Sequence, residues 1–138
     1  MQSGAWALPV VAVAVAAPAA AASEIEIPLQ VSVDPRGDRA YLRPVVSNPG
    51  DSTLTITLTI TSDIRRQNIR TDFDGVWMPA GQGACVIALG PGESSPTEDS
   101  LRITCSWQGE PAGNTHTVVM TASAPGYTAG TWSITLNQ

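Results

Sequence analysis

Alternation with a period of two dominates the chain. Leu54, Ile56, Leu58 and Ile60 alternate with Thr53, Thr55, Thr57, Thr59 and Thr61. A strand built this way turns an aliphatic face to a core and a row of threonines to water. Ile25, Ile27, Leu29, Val31 and Val33 repeat the pattern near the start. Trp132, Ile134 and Leu136, with Thr131, Ser133 and Thr135 between them, repeat it at the end, and Val118, Met120 and Ala122 form a weaker version. Tyr41 to Ser47 is a further strand, expected at a sheet edge because Pro44 has no N–H to donate to a ladder. The segment Asp63 to Asp74 lacks the period and leaves room for one helical turn.

The expected strands span residues 25–33, 40–47, 53–62, 84–89, 101–107, 116–124 and 131–137. Turn chemistry separates them: Asn48-Pro49-Gly50-Asp51, Gly90-Pro91-Gly92-Glu93 and Ala124-Pro125-Gly126-Tyr127 each place Pro and then Gly at the central positions of a type II turn. About seven short antiparallel strands with Pro/Gly turns predict an all-β domain, a β-sandwich before a small closed barrel. Val46-Ser47-Asn48-Pro49-Gly50-Asp51 and Leu89-Gly90-Pro91-Gly92-Glu93-Ser94 resemble the inter-strand turns of bacterial secreted and cell-surface immunoglobulin-like domains. That resemblance implies an immunoglobulin-like sandwich serving as a binding or spacer module, and it assigns no functional residue.

Residues 1–22 are set apart by having no charged side chain, and Ala5 to Ala22 is an apolar, alanine-rich run ending in Ala20-Ala21-Ala22. Such a run with an A-x-A ending is expected to be the apolar region and cleavage site of an export signal. It is short for a bilayer span and interrupted by Pro9 and Pro18. The stretch Gly4 to Ala14 resembles the middle of twin-arginine-type signals of high-GC Gram-positive bacteria. The Arg-Arg pair that precedes it in those signals is absent, which suggests a truncated signal whose start lies upstream of Met1. The domain division is therefore a signal peptide over 1–22 and a sandwich over 23–138. The expected location is secreted or extracellular, with no membrane association after cleavage and no wall-sorting motif near Gln138.

The two cysteines, Cys85 and Cys105, are expected to form a disulfide, because an even count in an exported chain favours one. Ser95 is both the midpoint of the cysteines and the centre of the loop Gly90 to Ser100. A symmetric hairpin through that loop would set Cys85 opposite Cys105, Ile87 opposite Ile103 and Leu89 opposite Leu101. A bridge closing a loop of that size would contribute about 3 kcal/mol.

Charge and candidate chemistry narrow the function classes. The formal net charge is -5 with no lysine, which argues against a nucleic-acid partner. His116 is the single histidine. It has no Gly-x-Ser-x-Gly stretch to serve, and it is expected to be exposed at a strand start. Asp72-Phe73-Asp74-Gly75 resembles the opening of a calcium loop but lacks the later ligands, so neither metal nor cofactor is expected. Trp107 and Trp132 fall on inward-facing positions. Trp77, in the irregular Gly75-Val76-Trp77-Met78-Pro79, is the tryptophan expected to be exposed and the candidate contact residue. The reading is a secreted, non-catalytic immunoglobulin-like module whose partner is an extracellular protein or a glycan. A carbohydrate-binding module using exposed tryptophan is the first alternative, and an exported hydrolase using His116 is the second.

Overall fold

A computed structural model describes residues 25–64, 68–73, 75–96, 101–107 and 115–137. The expected export signal lies outside the described residues. Nine strands follow one another: β1 (Leu29–Arg36), β2 (Arg39–Val46), β3 (Leu54–Ser62), β4 (Ile69–Phe73), β5 (Met78–Pro79), β6 (Ala84–Leu89), β7 (Leu101–Ser106), β8 (Thr115–Ser123) and β9 (Gly130–Asn137). They form two antiparallel sheets, β1-β2-β7-β4 and β5-β6-β3-β8-β9, consistent with a β-sandwich. One buried cluster draws on both sheets: Ala40, Leu42, Val46, Leu101 and Ile103 come from the first, and Ile56, Leu58, Ile87, Val118 and Met120 from the second. Each large aliphatic side chain buried this way contributes about 1.5–3 kcal/mol of transfer free energy.

Period-two alternation is what these elements share. In β3 the buried Ile56 and Leu58 point into the core, and the threonines point out. Two elements were invisible to that pattern. β4 occupies the stretch where a helical turn was expected. Ile69 and Thr71 face inward there, opposite Cys105 and Ile103, while Arg70 and Asp72 face outward. β5 is only two residues long. Pro44 does not mark an edge: β2 lies between β1 and β7, but its ladder to β7 runs only from Arg39 to Leu42, so Pro44 owes that neighbour no N–H. Residues 25–27 precede β1 and lie outside its ladder, with Glu26 bridged in parallel to Thr128, just before β9.

Two of the three Pro-Gly turns form as expected. Gly92 and Gly126 adopt φ of 68° and 84°, and Glu93 N and Tyr127 N donate to Gly90 O and Ala124 O at 3.1 and 3.2 Å. The Asn48 turn is built differently. Gly50 N donates to Asn48 Oδ1 at 2.8 Å. The Asn48 amide nitrogen donates to the carbonyls of Ser52, Leu89 and Gly90 at 2.8, 3.0 and 3.0 Å. Ser95, also buried, accepts from Val46 N at 2.9 Å through its hydroxyl.

The cysteine register is corrected. β6 pairs with β3 and β5, whereas β7 pairs with β2 and β4, so Cys85 and Cys105 lie in different sheets. Cys85 faces Leu58 and Pro79, and Cys105 faces Ala40 and Ile69. Ile87 and Leu89 face Ile56 and Leu54, not Ile103 and Leu101. Both thiols are buried and unbonded. The loop after Leu89 crosses from one sheet to the other rather than folding back as a hairpin. Symmetry about Ser95 cannot distinguish the two paths, because either one leaves the apolar residues facing inward.

Candidate functional site

The outer faces of the two sheets differ in kind. The strands β5, β6, β3, β8 and β9 contain no Arg, Lys, Asp or Glu. Their outward positions are chiefly Thr, Ser, Val and Ala, such as Thr55, Thr57 and Thr59 on β3, Thr117, Val119 and Thr121 on β8, and Thr131, Ser133 and Thr135 on β9. The four-stranded sheet carries instead Asp34, Arg36, Arg39, Arg43, Arg70, Asp72 and Arg102.

The strand period puts these groups on one face. In β2 the buried Ala40, Leu42 and Val46 point inward, so Arg39, Tyr41 and Arg43 point outward. The register then lines up Asp34, Tyr41, Thr104 and Arg70 across all four strands, with Arg102 beside Asp72 in the adjoining row. Tyr41 is at the centre. The guanidinium carbons of Arg102 and Arg36, from the strands on either side, lie 5.0 and 5.9 Å from its ring centroid. Both are within cation–π range.

Ion pairs fix the rim. Arg36 reaches both oxygens of Asp34, with Nε at 3.1 Å from each. That hydrogen bond holds the Asp34 carboxyl below its ordinary range. Arg39 Nε donates to Asp38 at 3.3 Å, in the β1–β2 turn. Asp72 accepts from Arg70 Nε at 2.9 Å and from Arg102 Nη2 at 3.2 Å. The charge of Arg43 also acts on Asp34, and Arg102 Nε is buried without a hydrogen-bond partner. Five arginines therefore stand against three aspartates on one face of a chain whose net charge is -5. A planar guanidinium fork suits carboxylate, sulfate and phosphate oxygens.

The structure places the residues singled out in the sequence elsewhere. Trp77, expected at the surface, is 2% exposed and is the largest fully buried side chain. The irregular loop carries it inward and leaves Val76 and Met78 outside, so the exposure expected of Trp77 is not found. Trp107 is buried as expected. Trp132, partly buried, lines a shallow hollow with Val119, Thr131 and Ser133. Among the described aromatic residues only Phe73 is exposed. His116 is buried, not exposed, because β8 alternation turns it inward beside Val118. Its Nδ1 lies 3.7 Å from Asp63 Oδ1, and its Nε2 has no hydrogen-bond partner. Asp72 is committed to its two arginines, and Asp74 lies outside the described residues.

A mixed cleft of about 370 Å³ opens between Thr59–Ser62 of β3 and Ile69 and Thr71 of β4. Among the described residues no charged side chain lines it. The arginine face escaped notice in the sequence because Arg36 to Arg43 and Arg70 to Arg102 are far apart in the chain. The signal that existed was the parity of Arg39, Tyr41 and Arg43 within a strand. Compared with models of known families and with curated proteins, the chain matches none.

Proposed function

We propose that this protein is an exported, non-catalytic immunoglobulin-like module that binds an anionic extracellular partner through the outer face of its four-stranded sheet. The observation that carries this reading is the gathering of Arg36, Arg39, Arg43, Arg70 and Arg102 on the one sheet face that carries Tyr41, in an otherwise acidic chain. Strand order supports the immunoglobulin-like part. In that fold the first, second, fifth and fourth strands form one sheet, and the third, sixth and seventh form the other. Here β1-β2-β7-β4 and β3-β8-β9 follow that order once β5 and β6 are taken as an added pair beside β3. That pair enters the chain after β4, which is the departure from the usual variable-type arrangement. The charge-free run ending at Ala22 supports export.

The partner is a protein or glycan bearing carboxylate or sulfate groups. Binding to immobilised dextran sulfate, with uncharged dextran as the control, tests the reading. Retention should fall steeply with salt, as expected for exposed charges. The double variant Arg36→Ala/Arg43→Ala should weaken it by about tenfold or more, on the scale of one or two charge-assisted bonds. Equal retention on neutral dextran, or no effect of the double variant, would overturn it.

A further inference from the structure

Four strands form the edges of the two sheets: β1 and β4 in one, β5 and β9 in the other. Exposed edges offer unpaired N–H and C=O groups to other chains, and proteins blunt them with charge, proline or short length. Three of these edges are blunted. β1 ends in Asp34-Pro35-Arg36, β4 alternates Arg70 and Asp72, and β5 is two residues long and contains Pro79. β9, Gly130–Asn137, is eight residues long and has neither charge nor proline. Its inner side pairs with β8 throughout. Just before the strand Ile25 and Ile27 bond Thr128, and the Ile27 carbonyl sits so close to the core-facing side of Gly130 that a Cβ there would collide with it. From Thr131 onward the outer side has no backbone partner among the described residues.

We infer that β9 pairs antiparallel with β9 of a second copy, about a two-fold axis at Ser133, joining the two five-stranded sheets into one. The parity of the strand selects a residue-centred axis, since any other pairing would set core-facing residues against solvent-facing ones. Centring on Ser133 pairs Trp132 with Ile134 of the other copy, and Thr131 with Thr135. Trp132 and Ile134 are the two β9 side chains that pack on the core while remaining partly exposed. An aromatic opposite a β-branched residue is a stabilising cross-strand pair, and each would cover the other. Leu136 is already buried within its own copy, so an axis shifted to Ile134 would leave Trp132 against a side chain with nothing left to bury. Electrostatics permit the joint despite a net charge of -5, because no strand of this sheet carries an Asp, Glu, Lys or Arg, and its one histidine, His116, is buried. Such a contact is isologous and closes at two copies.

Sedimentation equilibrium on the full chain, with the register probed by cysteines, tests this. The unmodified protein should reach dimer mass at tens of micromolar. Ser133→Lys sets like charges directly opposite and should weaken dimerisation at least tenfold while leaving the circular dichroism unchanged. Ser133→Cys should cross-link to itself under mild oxidation. Thr131→Cys alone should not, but should cross-link when mixed with Thr135→Cys. A monomer at the highest concentration overturns the inference, as does a dimer indifferent to Ser133→Lys. Cross-linking of Thr131→Cys alone in preference to Ser133→Cys overturns the register. Binding of a foreign strand by a monomeric protein would also count against it.

Discussion

Asn48 donates its side-chain amide at 3.0 Å to the backbone carbonyl of Leu89, 41 positions further along the chain. The same nitrogen reaches Ser52 and Gly90, and Asn48 N donates to Glu93 O at 2.9 Å. One buried side chain thus ties the loop after β2 to the loop after β6. The two turn segments that resemble those of immunoglobulin-like domains are bonded to each other.

Asn48→Ala should therefore destabilise the domain by about 2–4 kcal/mol, since it strands buried carbonyls that cost about 1–3 kcal/mol each when unpaired. Asn48→Asp, nearly the same shape, cannot donate and should be no better. Urea unfolding of the three proteins checks this: an Asp variant as stable as the parent would contradict the donor role.

Trp77→Ala should cost about 3–5 kcal/mol, the range for emptying a large aromatic site. Trp77 Nε1 is buried without a partner. Trp77→Phe therefore loses volume but relieves an unpaired N–H, and it should cost clearly less than Trp77→Ala. Thermal unfolding of the pair gives the comparison, and equal costs would refute it.

Burial pushes the Cys85 thiol up to about 12 and the Cys105 thiol up to about 11. Native protein should react with neither equivalent of a thiol reagent at pH 8, whereas unfolded protein, kept free of reductant, should react with two. Because both values are raised on folding, the folded state holds its protons more tightly than the unfolded chain. Stability from this source is complete below the unfolded thiol pKa of about 8.5 and is lost as pH rises toward the folded values. Cys85→Ala should flatten that alkaline decline. An absence of thiols after unfolding would show an oxidised pair.

Gly130→Ala should lower stability by about 1–3 kcal/mol, the usual cost of forcing an atom into a packed site. The added Cβ meets the Ile27 carbonyl, which is backbone and cannot swing aside. Gly37→Ala provides the contrast: a Cβ there meets nothing, and only its φ of 64° opposes the change. Chemical denaturation of both variants separates a clash from conformational strain.

Strong alternation along the chain located the strands and the inward direction of their aliphatic residues. Ile56, Leu58, Val118 and Met120 could be assigned to a core because period two is a local property of one strand. Gly92 and Gly126 were legible for the same reason, since a turn type depends on adjacent residues. Which strand lies beside which depended on tertiary structure. Cys85, Ile87 and Leu89 face inward equally well opposite β7 or opposite β3, so local pattern could not reveal that Cys105 belongs to the other sheet. The burial of Trp77 was equally hidden, because it depends on the volume left between the sheets, whereas that of His116 follows from its parity with Val118 and Met120 on β8. The arginine face exists only once β1, β2, β7 and β4 are neighbours, and β9 is an edge only because the second sheet ends at its pairing with β8. Charges spread from Asp34 to Arg102 become one surface through pairing, and pairing is decided by the packing of the whole core.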